Sequence, residues 1–172
     1  LLTNPLFVDM YNNGSSAQHT PDVVVMSFGF NESIYTAVAM GDWFRLLDHR
    51  IAQFVDRGAT CFVFVVSSNY GNYFRLVQWN NHIRSLAGSH TFFNRQYSVR
   101  VADVSATISS NLAHYTLDGV HFTDAGRDVV FPAIADQIEL CPEGRGRDDA
   151  NEVLKAGQSM PTPLHIEYPS PY

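Results

Sequence analysis

Asp118 and His121 stand three residues apart in Leu117-Asp118-Gly119-Val120-His121-Phe122-Thr123-Asp124-Ala125-Gly126, the stretch of the chain richest in reactive side chains. A carboxylate that holds the Nδ1–H of an imidazole leaves Nε2 free to take a proton and stabilises the imidazolium that forms. With a turn at Gly119, the Asp118 carboxylate folds back onto the His121 ring. The plainer alternative is a surface turn with a capping acid and a bystander histidine. A second group of interest is Gly29-Phe30-Asn31-Glu32, directly after a run of β-branched residues. An asparagine amide held at a strand end is a donor for a developing oxyanion, or a turn former bonded to its own backbone.

These two groups must be positioned by a scaffold, and hydropathy patterning outlines one. Pro21-Asp22 opens Val23-Val24-Val25-Met26-Ser27, a strand covered on both faces. From about Ile34 to Arg57, apolar residues recur at helical spacing, with a break expected near Gly41-Asp42 and a stop at Arg57-Gly58. Thr60 to Val66 is a second buried strand. Phe74 to Ala87 is a second helix, capped by Gly88. Tyr97 to Asp103 alternates as a third, peripheral strand, and residues 104–116 are short helix or loop. Thr123 caps a last helix running to about Leu140, with Pro132 expected to bend or interrupt it.

Strand and helix in alternation predict an α/β fold, a three-layer sandwich whose central, mostly parallel sheet carries helices on both faces. Residues 1–140 form the expected domain. Residues 141–172 form a Pro-rich, irregular C-terminal tail, either a loose extension or an arm that docks on a protein partner.

Composition excludes several roles. A net charge of −6, with Lys155 the one lysine, gives no attraction for phosphate backbones, so no nucleic acid is expected. No apolar run reaches the ~20 residues of a membrane span. The seven histidines show no metal-ligand spacing, and no metal is expected. Cys61 reads as a buried small hydrophobe, while a bridge to Cys141 is open at the level of sequence. No targeting segment is visible, and the compartment stays open, secretory or luminal included.

The blocks Gly29-Phe30-Asn31-Glu32 and Asp118-Gly119-Val120-His121, in this order and on these elements, resemble the SGNH (GDSL-type) hydrolase family, in particular its PC-esterase-like branch. The similarity covers roughly residues 20–140. It implies His121 as general base, Asp118 as its orienting acid and Asn31 as an oxyanion donor. Gly29 and Tyr70, each just past a strand end, are the expected substrate-binding residues, although loop packing is an alternative for Tyr70. The reaction needs no cofactor. Two features depart from the family pattern: Glu32 replaces an aspartate, and the Gly-Asp-Ser block bearing the nucleophile is missing, Gly41-Asp42 being followed by Trp43. The expectation is a serine esterase or acyltransferase for acetylated carbohydrate or lipid esters, its serine lying outside this sequence. The alternative is a non-catalytic binding module or structural subunit on the same fold.

Overall fold

The structure, a computed structural model, describes residues 22–27, 39–68 and 74–142. Nine elements follow one another there: β1 (Val23–Met26), α1 (Met40–Asp56), β2 (Cys61–Val66), α2 (Phe74–Ser85), β3 (Gly88–Phe92), β4 (Arg95–Asp103), α3 (Ser105–Ser110), α4 (Leu112–Tyr115) and α5 (Asp124–Glu139). They make an α/β fold around a four-stranded sheet of order β1-β2-β4-β3. The β1–β2 and β2–β4 pairs are parallel, and β3–β4 is antiparallel.

β2 explains the arrangement. All six of its residues are buried, and successive side chains of a strand point to opposite faces. Phe62, Phe64 and Val66 join a cluster with Leu47, Ile51 and Val55 of α1 and with Trp79 and Ile83 of α2. Cys61, Val63 and Val65 enter a second cluster with Ile108 of α3 and Val130, Ile134 and Ile138 of α5. A strand flanked by apolar matter on both sides must itself be continuously apolar, hence the unbroken run Cys-Phe-Val-Phe-Val-Val.

The third strand differs from the expectation of a peripheral position. It begins at Arg95 and lies inside the sheet, because β3 pairs along its outer side, from Gly88 opposite Val99 to Phe92 opposite Arg95. Gly88 therefore opens a strand instead of closing a helix, and α2 ends at Ser85. β3 escapes a hydropathy reading because Gly88-Ser89-His90-Thr91 offers no apolar alternation, and its hairpin turns through Phe93, at φ 51°, without the usual Asn-Gly pair. Gly41 and Asp42 lie within the first turn of α1 and do not break it. The expected helical residues 34–38 are outside the described residues. Residues 104–116 hold the two short helices α3 and α4.

Pro132 sits inside α5 without ending it. An interior proline costs roughly 3 kcal/mol. Burial of Val130, Ile134 and Ile138, each worth ~1.5–3 kcal/mol, outweighs that cost. Cys61 and Cys141 form a disulfide, so Cys61 is buried as expected but not as a free thiol. The bridge joins the first residue of β2 to a residue just past the end of α5. α5 therefore runs back along the sheet, antiparallel to β2, with its N-terminus at the C-terminal edge of the parallel strands. The tail expected from residue 141 onward is anchored to the sheet at its first residue, and its remainder, 143–172, lies outside the described residues. Among the described residues, no helix is long and apolar enough to cross a membrane.

Candidate functional site

The run from Thr116 to Phe122 crosses from α4 to α5 at that C-terminal edge. An antiparallel bridge between Thr116 and Phe122 pinches the loop shut, and the Leu117 N–H donates to the His121 carbonyl at 2.7 Å. Gly119 adopts φ 91°, which a side chain would make strained, and this residue reverses the chain inside the loop.

Within the closed loop the Asp118 carboxylate has three donors. Oδ1 accepts the Val120 N–H at 2.9 Å and the His121 N–H at 2.8 Å, while Oδ2 lies 2.6 Å from His121 Nδ1. Desolvation alone would raise the Asp118 pKa. The hydrogen bonds from the His121 backbone and ring and from the Val120 N–H overcome it and pull the value from 3.8 to about 2. The carboxylate is therefore ionised at any pH above about 4 and can only accept, so a neutral His121 ring carries its proton on Nδ1 and presents Nε2 as a lone pair. The side chains of His121 and Asp118 are 56% and 41% exposed, leaving Nε2 open to an incoming group.

Two residues to which the sequence reading gave no role hold this loop. Thr116 is buried; its Oγ1 accepts the Gly119 N–H at 3.0 Å and donates to the Leu112 carbonyl at 2.7 Å. Gly126 lies so close to α4 that a Cβ would strike the Tyr115 carbonyl oxygen and come within 3.1 Å of the Phe122 Cβ. Thr123 completes the seam: its Oγ1 accepts from Gly126 N–H at 3.1 Å, as expected of a cap, and donates to the His114 carbonyl at 2.7 Å. A glycine eight residues beyond Asp118 is the one sequence signal that pointed this way, and it acquires meaning only once α4 and α5 are seen in contact.

The same edge carries a second polar network. Asp103, at the end of β4, accepts from Arg84 Nε at 2.7 Å and from Ser105 Oγ at 2.6 Å, and Arg84 also reaches Ser105 Oγ at 2.9 Å. Burial raises the Asp103 pKa, but the Arg84 and Ser105 hydrogen bonds more than reverse it, and the net shift is downward. Asn80, buried on α2, donates to the Ser68 carbonyl at 2.8 Å. These bonds fasten α2 to the ends of β2 and β4 and give the edge a rigid floor.

The structure brings Asp118 and His121 together as expected. Gly29, Asn31 and Tyr70 lie outside the described residues. β1, which precedes Gly29 and Asn31, and β2, which precedes Tyr70, both end at the edge where the His121 loop sits. Among the described residues no three His, Cys, Asp or Glu side chains gather as metal ligands. No family model matches the chain, and no curated protein or solved structure matches it either.

Proposed function

We propose that the chain is the histidine- and acid-bearing part of an SGNH-like serine esterase or acyltransferase, built as a three-layer sandwich over residues 1–140. The observation that carries the reading is the 2.6 Å contact from His121 Nδ1 to an ionised carboxylate, on an exposed loop at the C-terminal edge of parallel strands. Ligand sites of open α/β sheets lie at such edges. In this reading Nε2 of His121 takes the proton of a serine hydroxyl as its oxygen attacks the ester carbonyl, and then returns that proton to the departing alcohol. Water, or an acceptor alcohol, repeats the sequence in reverse to release the acyl group. By the family resemblance Asn31 is assigned the role of oxyanion donor, worth ~3 kcal/mol, and Gly29 and Tyr70 that of substrate-binding residues. Acetylated carbohydrate is the favoured substrate class, with lipid esters next. The serine comes from sequence outside these 172 residues.

The test is labelling with a serine-directed fluorophosphonate on a polypeptide that includes the sequence preceding Leu1. Labelling that disappears in His121→Ala supports the reading; absence of labelling in the folded parent protein overturns it.

A second reading, a non-catalytic module on this fold, is favoured by two observations: no Gly-Asp-Ser occurs in the sequence, and among the described residues no hydroxyl is hydrogen-bonded to His121. Removing residues 143–172 while keeping Cys141 distinguishes the two. Lost association with unchanged ester cleavage assigns the tail to docking. A protein whose every function survives His121→Ala is the binding module.

A further inference from the structure

On the sheet face covered by α1, away from the His121 loop, a cavity of about 240 Å³ opens between α1 and the β3–β4 hairpin. Asp48 and Ala52 of α1 form one wall, and His90 and Phe92 of β3 with Tyr97 and Val99 of β4 form the other. Tyr97 precedes Ser98, which pairs with the first residue of β2, so the cavity lies toward the N-terminal edge of the parallel strands. Its chemistry is one-sided. Asp48 is the sole carboxylate of the lining, and among the described residues no ion pair engages it. The Arg95 guanidinium nearby is turned to the Val55 carbonyl at 3.1 Å. The His90 ring stacks on Tyr97, with centroids 5.2 Å apart and 20° between planes. His90 Nε2 meets the Leu86 carbonyl at 2.7 Å and so carries the donor, which leaves the other nitrogen of the neutral ring as an acceptor. Asp48 and Tyr97 line the same space, and the Tyr97 hydroxyl has its pKa raised, first by burial and then by the charge of Asp48.

We propose that this cavity binds a small organic cation, a protonated amine on an apolar body of about amino-acid size. The ammonium sits against the Asp48 carboxylate while the body lies along Phe92, Tyr97 and Val99. A carboxylate beside aromatic faces attracts a cation twice over, by charge and by the ring quadrupole. An anion is repelled by the Asp48 charge, and a neutral ligand gains the apolar wall and hydrogen bonds but not the attraction of charge for charge. The volume is below the ~300 Å³ at which drug-sized pockets begin, which limits the ligand to a fragment.

The test is an NMR titration of the whole chain at pH 8, where the benzylammonium probe is still cationic, with benzyl alcohol as its neutral counterpart. Benzylammonium is expected to shift the Ala52, His90 and Tyr97 resonances saturably, with a Kd on the order of 1 mM. Benzyl alcohol and the Asp48→Asn protein should each bind at least about tenfold more weakly. Equal affinity for the two probes in the unaltered protein, or no shift up to about 20 mM benzylammonium, overturns the proposal. Because the probe comparison uses no variant, it stands whether or not Asp48→Asn folds.

Discussion

Replacing Asp118 with asparagine isolates the charge that holds His121. The introduced amide keeps an oxygen for the Val120 and His121 N–H groups, so the loop retains its turn. What disappears is the negative charge and the acceptor for Nδ1–H. A fall in pKa from 3.8 to about 2 is equivalent to ~2.4 kcal/mol if realised in full. Since 41% of the Asp118 side chain is exposed, solvent screening reduces this to about 1 kcal/mol. The sign follows from the direction of the shift. A carboxyl group whose folded pKa is depressed stabilises the fold above its unfolded value near 3.8, and that contribution is lost as pH falls toward 2. Urea unfolding of both proteins, followed by far-UV circular dichroism from pH 7 to pH 2, measures the difference directly. Asp118→Asn should be about 1 kcal/mol less stable at pH 5 and above, and the gap should close between about pH 4 and pH 2. Other carboxylates titrate in both proteins and cancel. A gap constant down to pH 2, or no gap at pH 7, would refute the account of how Asp118 is held.

Two glycines should respond in opposite directions in thermal and chemical unfolding. Gly126→Ala drives a methyl group into the Tyr115 carbonyl and should destabilise by about 1–3 kcal/mol, while Gly41→Ala, with nothing within 4 Å of the new Cβ on an exposed helical turn, should stabilise by about 0.5–1 kcal/mol. The Cys61–Cys141 bridge closes a loop spanning 80 residues, so the double change to alanine should cost about 4 kcal/mol, read as a lower urea midpoint. Within the His121 loop, Thr116→Val removes the acceptor for the Gly119 N–H while conserving shape, and should cost about 1–2 kcal/mol and speed amide exchange at Gly119.

What could be read in advance and what could not divide by the range of the interaction. β2 is legible because burial on both faces demands an unbroken apolar run, and Thr123 because its hydroxyl serves an N–H three residues on. The Asp118–His121 pair is legible for the same reason, since both partners lie in one short loop. β3 is not, because an edge strand half open to water needs no apolar code and its turn uses Phe93 instead of glycine. With β3 hidden, β4 looked like an edge. The disulfide depends on two cysteines 80 residues apart, and nothing local states that α5 returns along β2. Thr116 and Gly126 are ordinary residue types whose roles exist only through the packing of α4 against α5.

The central claim is that Asp118 fixes the tautomer of His121. Long-range 1H–15N correlation spectra of the imidazole at a pH where the ring is neutral read it without any substrate. The account predicts a protonated Nδ1 and a bare Nε2 in the parent protein, and a loss of that preference in Asp118→Asn. A ring protonated on Nε2 in the parent protein, or a tautomer indifferent to the substitution, would contradict it.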